Sequence, residues 1–201
     1  FISNYVAKIV QADVENNIWD GNFDPLGAGG VPAHTSFDGI MKHYFDSAQT
    51  HQAGTVGVWQ GSVPATTATY ILSHLETAAA LIPSAIVGDP DTKLYMSRKS
   101  AQLYYQALAA TYQLPFLNDG VVARYSGYDI IAPAGFPDNC VVFSKIDNLY
   151  FGTNVMTDMT EARILDLTGV TGSAVTRVVL LFDAGTQIVD EASMAVCRRS
   201  A

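Results

Sequence analysis

Four histidines, His34, His43, His51 and His74, are the side chains best suited to hold a metal or move a proton near neutral pH. A helical zinc site needs two histidines one turn apart, at i and i+4, with a glutamate nearby. His43 and His51 stand eight apart with no such partner between them, so all four read as exposed or hydrogen-bonded side chains. Asp89 and Asp91, in the run Gly-Asp-Pro-Asp, resemble the start of an oxygen-rich cation loop. The further acidic ligands that calcium requires do not follow them, and a solvated turn is expected. Asp13 with Glu15, and Asp158 with Glu161, are acid pairs of commonplace spacing. The glycines of LGAGG, Leu26 to Gly30, suggest a nucleotide loop. That run follows a helical pattern instead of a strand, lacks the Lys-Ser/Thr of a P-loop and misses the dinucleotide spacing. There is no GxSxG elbow, and neither Cys140 nor Cys197 has the local features of an activated nucleophile. No catalytic set assembles. The expectation is a protein that is not an enzyme, with no catalytic, cofactor-binding or metal-binding residues and no cofactor.

The elements that would have to position any site sit in an unusual composition. Apolar residues make up 49% of the 201, while charged residues reach only 15%, against about 25% in ordinary soluble domains. A surface so poor in charge is better covered by neighbouring subunits than left in water, which leans towards an oligomer. The length suits one large domain or two small ones. The net charge is −8, with eleven Lys and Arg scattered apart from Arg98-Lys99 and Arg198-Arg199. A protein that grips phosphates shows a basic patch, so no sequence-specific nucleic-acid binding is expected. No apolar run reaches the roughly 18 residues of a membrane span. Cys140 and Cys197 are expected as reduced thiols. Phe1 already falls in a helical pattern and no charged leader precedes it, so the chain is expected to begin inside a longer gene product.

Ile2, Val6, Ile9, Val10, Val14 and Ile18 recur at spacings of three and four, predicting an amphipathic helix over 3–19 with Gly21 as its stop. A glycine-rich loop follows over 24–32. Thr35, with Asp38 after it, reads as the N-cap of a short helix bearing Ile40, Met41, Tyr44 and Phe45. Residues 54–64 read as an extended crossing. A second long helix over 66–82 turns Ile71, Leu72, Leu75, Ala78, Ala79 and Ile82 to one side before Pro83. A strand over 93–96 leads to Ser97, the cap of a third helix reaching 112. The second half changes character: 127–132, 140–144, 161–167 and 175–182 are rich in β-branched and apolar residues and read as strands. Helices first and strands second make an α+β chain.

The stretch YDIIAPAGFPDNCVVFSKIDNLYFGTNV, 128–155, runs strand, turn at Gly135 and Pro137, strand, then an Asn-Leu-apolar-apolar-Gly-Thr segment at 148–153. It resembles the place in tailed-bacteriophage major capsid proteins where the axial domain returns to the peripheral domain. The order around it is similar too. The 3–19 helix and its glycine-rich loop resemble the family's spine helix and the loop after it. KLYMSRKSAQLYYQAL at 93–108 resembles a strand leading into a helix, and RVVLLFDAGTQIV at 177–189 the long late strand before a final one at 193–197.

The resemblance implies the phage capsid shell fold. That fold has an elongated peripheral subdomain, made of a spine helix and long antiparallel strands, and an axial subdomain made of a sheet flanked by helices. The spine helix is expected to pack on the strands over 161–167 and 177–187. Residues 1–62 and 145–190 are assigned to the peripheral part, and 63–144 with the returning strand 191–201 to the axial part. The implied function is that of a structural subunit of a phage or prophage capsid, self-assembling into pentamers and hexamers around the genome. Its partners would be further copies of itself and scaffolding, portal or decoration proteins, with no membrane partner, in a virion assembled in the bacterial cytoplasm. The family's N-terminal arm and extended loop are not found ahead of the helix. The alternatives are an encapsulin-type compartment shell, which shares the fold, and a small α+β enzyme with a site near His34 or Asp89.

Overall fold

A computed structural model describes residues 2–22, 36–46, 52–53, 68–112, 124–138, 140–153, 162–166, 172, 176–180 and 183–198. Its helices are Ile2–Asp20 (α1), Ile40–Asp46 (α2), Ala68–Ala80 (α3) and Arg98–Tyr112 (α4). Its strands are Gln52–Ala53 (β1), Thr92–Met96 (β2), Arg124–Tyr125 (β3), Tyr128–Ile131 (β4), Cys140–Lys145 (β5), Leu149–Thr153 (β6), Ala162–Asp166 (β7), Thr176–Leu180 (β8), Ala184–Ile188 (β9) and Met194–Arg198 (β10).

Every side chain of β5 from Cys140 to Ser144 is buried, as are four of the five in β2. Successive side chains on a strand point to opposite faces, so a strand buried throughout needs cover on both sides. The six-stranded sheet, in the order β1-β10-β5-β2-β4-β3, receives that cover. On one face Leu94, Met96, Val141, Phe143, Ala195 and Cys197 pack against Ile71, Leu75 and Ala78 of α3 and Tyr104 and Ala107 of α4. On the other, Tyr95, Val142, Met194 and Val196 meet Trp19 of α1 and Ile40, Met41, Tyr44 and Phe45 of α2. The ladder enforces this sorting, because it aligns Leu94, Phe143 and Ala195 in one row and Tyr95, Val142 and Val196 in the next. The fold is therefore α+β, as expected, and its last strand inserts between β1 and β5.

α2 and β1, both within residues 1–62, contact the sheet: β1 pairs with β10 and α2 closes the second face. An apolar stripe predicts that a helix is buried but not which sheet face it covers. The stripe expected on α1 splits. Val14 and Trp19 are buried, but Ile9 is 52% exposed and Val6 and Val10 are only half-buried. The C-terminal half of α1 contacts the sheet side, where Trp19 packs on Tyr95 and Phe136 at 5.4 and 4.8 Å between ring centres. The short helix begins at Ile40 with Gly39 as its first acceptor, five residues beyond the expected cap. Thr35, the loop over 24–32 and the crossing over 54–64 lie outside the described residues. Ser97 does cap α4, its hydroxyl accepting from the Ser100 N–H at 3.1 Å.

Backbone meets backbone where α1 ends. The Gly39 N–H donates to the Gly21 carbonyl at 2.8 Å. A Cβ on Gly135 would lie 2.5 Å from the Glu15 carbonyl, closer than real Cβ atoms approach. Gly135→Ala is expected to lower the unfolding free energy by roughly 1–3 kcal/mol through overpacking. Gly152→Ala, whose methyl meets open space, should stay within about 0.5 kcal/mol of the parent. Guanidinium midpoints of the two variants check this.

Candidate assembly surface

The residues weighed for chemistry do not converge. Asp89 closes its own turn, one carboxylate oxygen accepting from the Asp91 N–H at 3.0 Å and the other pairing with Lys145 at 2.5 Å. Glu15 is a brace: its carboxylate accepts from the Ala134 N–H at 2.8 Å, 119 residues away, and Asp13 stands one turn before Asn17, whose amide donates to its carbonyl. His74 is buried on α3 and stacks on Tyr70 at 5.7 Å, whereas His43 is half-buried on α2. His34, His51, Asp158, Glu161 and the Leu26–Gly30 run lie outside the described residues. Among the described residues no three of His, Cys, Asp and Glu gather as metal ligands, and no helix is long and apolar enough to cross a membrane. Cys140 and Cys197 are buried and not joined in a disulfide. Their strands are neighbours, but the ladder sets Cys197 opposite Val141 and turns the two thiols to opposite faces. Cys140 lies instead 3.8 Å from the Met41 sulfur.

The charged groups serve as ties between strands and turns. Asp129 accepts from Lys93 at 2.8 Å and from Arg124 at 2.6 Å, joining β2, β3 and β4. Those two hydrogen bonds, Lys93 first, hold its carboxyl below the usual range, as Lys145 and then the Asp91 N–H do for Asp89. Burial alone pushes the Tyr95 hydroxyl up to about 12. Such values mark packing and pairing, not a proton-transfer site.

Some large apolar side chains among the described residues face outward. β6 and β9 form a two-stranded ribbon outside the main sheet. One ribbon face is partly covered: Thr186 and Ile188 are buried and the Thr186 hydroxyl donates to the Asp38 carbonyl at 2.8 Å, while Phe151, 6.1 Å from Phe37 between ring centres, remains 39% exposed. The opposite face carries Tyr150, its cross-strand partner Gln187 and, two residues on, Val189. Tyr150 is 56% and Val189 67% exposed, and Ile146, in the turn before β6, is 53% exposed. A second apolar pair, Tyr5 and Ile9, lies one turn apart on the N-terminal half of α1. Scattered exposed apolar residues are normal, but aligned ones mark interaction sites. Sequence patterning missed this face because strand propensity reports fit to a sheet, not which sheet. The available signal was the adjacent aromatic pair Tyr150-Phe151, which puts one large ring on each side of a strand.

No family model matches the chain, nor does any curated protein sequence. Solved structures do. A chain of the satellite phage P4 procapsid including size determination (Sid) protein superposes with a TM-score of 0.60 at 13% identity, covering 100% of this chain and 67% of that one. A Gordonia phage Cozz chain gives 0.48 at 14% identity over 100% and 62%. A chain from the capsid of the empty GTA particle gives 0.45 at 15% over 100% and 65%. This chain thus spans about two thirds of the length of these structural neighbours.

The lowered carboxyls of Asp89 and Asp129 give stability a direction with pH. A depressed carboxyl contributes fully above its unfolded value, near 3.9, and loses that contribution as pH falls through the folded one. Thermal unfolding followed from pH 7 downward should show stability declining below about pH 4, with a shallower decline in Asp129→Asn.

Proposed function

We propose that this chain, which has the phage capsid shell fold, is a structural subunit of an icosahedral phage or prophage capsid. The observation that carries the proposal is agreement of fold with the P4 procapsid chain over the whole length. The apolar outward face of the β6–β9 ribbon supports it. A shell subunit works through broad surfaces repeated on every copy. Head-to-tail contacts between unlike patches close into rings, here the pentamers and hexamers of a capsid. Tyr150 and Val189 are suited to such a contact, because exposed apolar area gains free energy when a neighbour covers it.

In this proposal the six-stranded sheet and its helices form the axial part, and the ribbon with the β7–β8 hairpin the peripheral part. The placing of β10 inside the sheet supports it. Assembly takes place in the bacterial cytoplasm, and the partners are further copies together with scaffolding, portal or decoration proteins. A net charge of −8 suits a wall that must not adhere to packed DNA.

The test is to express the full product of the gene and image it by electron microscopy. Closed particles are expected, containing DNA in the phage context. The doubly charged variant Tyr150→Asp with Val189→Asp should cut particle yield at least tenfold while circular dichroism stays unchanged. A monomer at every concentration would refute the proposal, and particles filled with one enzyme would point to a compartment shell instead.

A further inference from the structure

Two strands cross between the six-stranded sheet and the ribbon. The β5–β10 ladder ends at the Ser144–Met194 pair. The ribbon ladder starts at Leu149 opposite Ile188, with the Val189 N–H donating to the Asn148 carbonyl at 3.1 Å. Between the ladders each crossing makes a short helical turn, at Ile146–Asn148 and Glu191–Ser193. One side chain spans the gap. The Asn148 amide donates to the Asp190 carbonyl at 2.8 Å, accepts from the Asp190 N–H at 2.7 Å and reaches the Ser144 hydroxyl at 3.4 Å. Asn148 is 7% exposed, so an unmet amide group there is costly.

We infer that the Asn148 side chain is a pin that fixes the ribbon's orientation on the sheet. It supplies the rung that neither backbone ladder makes. An amide offers a donor and an acceptor side by side, which is what one residue of an extended strand presents to its partner. The Asp190 side chain holds the other half of the pin, accepting from the Ala192 N–H at 3.1 Å and from the Ser193 hydroxyl. The pin therefore sets the direction in which Tyr150 and Val189 face, whatever covers them. Asn148 is a positioning residue, and the leading asparagine of the segment at 148–153 has this role.

Hydrogen exchange read by mass spectrometry on the chain itself tests the inference. In Asn148→Ala, amides of 149–153 and 184–190 should exchange at least tenfold faster, while those of β2 and 141–144 keep the parent rate. Equal acceleration in sheet and ribbon would show that Asn148 only adds to global stability, and no change would show that it pins nothing. Should that variant fail to fold, Asn148→Asp keeps the question open to measurement. A neutral carboxyl has a donor and an acceptor like the amide, whereas a carboxylate has no donor for the Asp190 carbonyl. Ribbon protection relative to the parent at the same pH should then be low at neutral pH and return as the new carboxyl is protonated. The neighbouring charges, Lys145 paired with Asp89, Asp147, Asp190 and Glu191, are present in both proteins and cancel in that ratio. A ratio independent of pH overturns the inference.

Discussion

The constraint on which the rest depends is the burial of β5 on both faces. A central strand reading Cys-Val-Val-Phe-Ser has no polar side to give to water, so the sheet needs helices above and below. The lower cover comes from α3 and α4, close in sequence to β2. The upper cover comes from α1 and α2 at the start of the chain, and β10 arrives from its end. One strand thus ties together segments separated by well over a hundred residues. The Tyr44 hydroxyl shows how closely: it donates to the Met194 carbonyl 150 residues away, at 3.0 Å.

β6 and β9 leave the sheet as a pair, and a pair of strands is marginal in water unless something supports it. Support on one face comes from the segment before α2, through Phe37 and Asp38. The other face has no such support among the described residues, and it is the face rich in exposed apolar area. The sheet is thus covered on both faces, whereas the ribbon is supported on one face among the described residues.

Much of the element order was legible in the residues. The start of α4 at Ser97 and the strands over 140–144 and 175–182 follow from local periodicity and capping, which depend on neighbours in sequence, whereas the final return strand came from the family resemblance. The failures share a different cause. That α2 covers the sheet, that α1 buries Trp19 but leaves Ile9 exposed, and that Glu15 braces Ala134 are choices among faces and partners distant in sequence. Periodicity states that Ile9 is apolar; only the position of the sheet decides whether it is covered. Gly21, Gly39 and Gly135 were read as a helix stop, an unremarked residue and part of a turn. Their common task, letting three backbones touch, has no signature in spacing. The site was illegible for a related reason: flat recognition surfaces leave no motif, and Asn148 looks in sequence like any turn asparagine.

The glycine contacts at the end of α1 carry a mechanical consequence. The helix is 19 residues long, about 28 Å at the α-helical rise. Its C-terminal half is seated where side chains cannot cushion movement, and its N-terminal half projects Tyr5 and Ile9 outward. A stiff rod held at one end is a lever. A tilt of about 5° at the seat moves the far end of the free half, about 14 Å long, by about 1.2 Å, roughly a quarter of the spacing between neighbouring strands. Tyr5 and Trp19 thus stand on one rigid element, about 21 Å apart at the α-helical rise, with Trp19 resting on Tyr95 of β2.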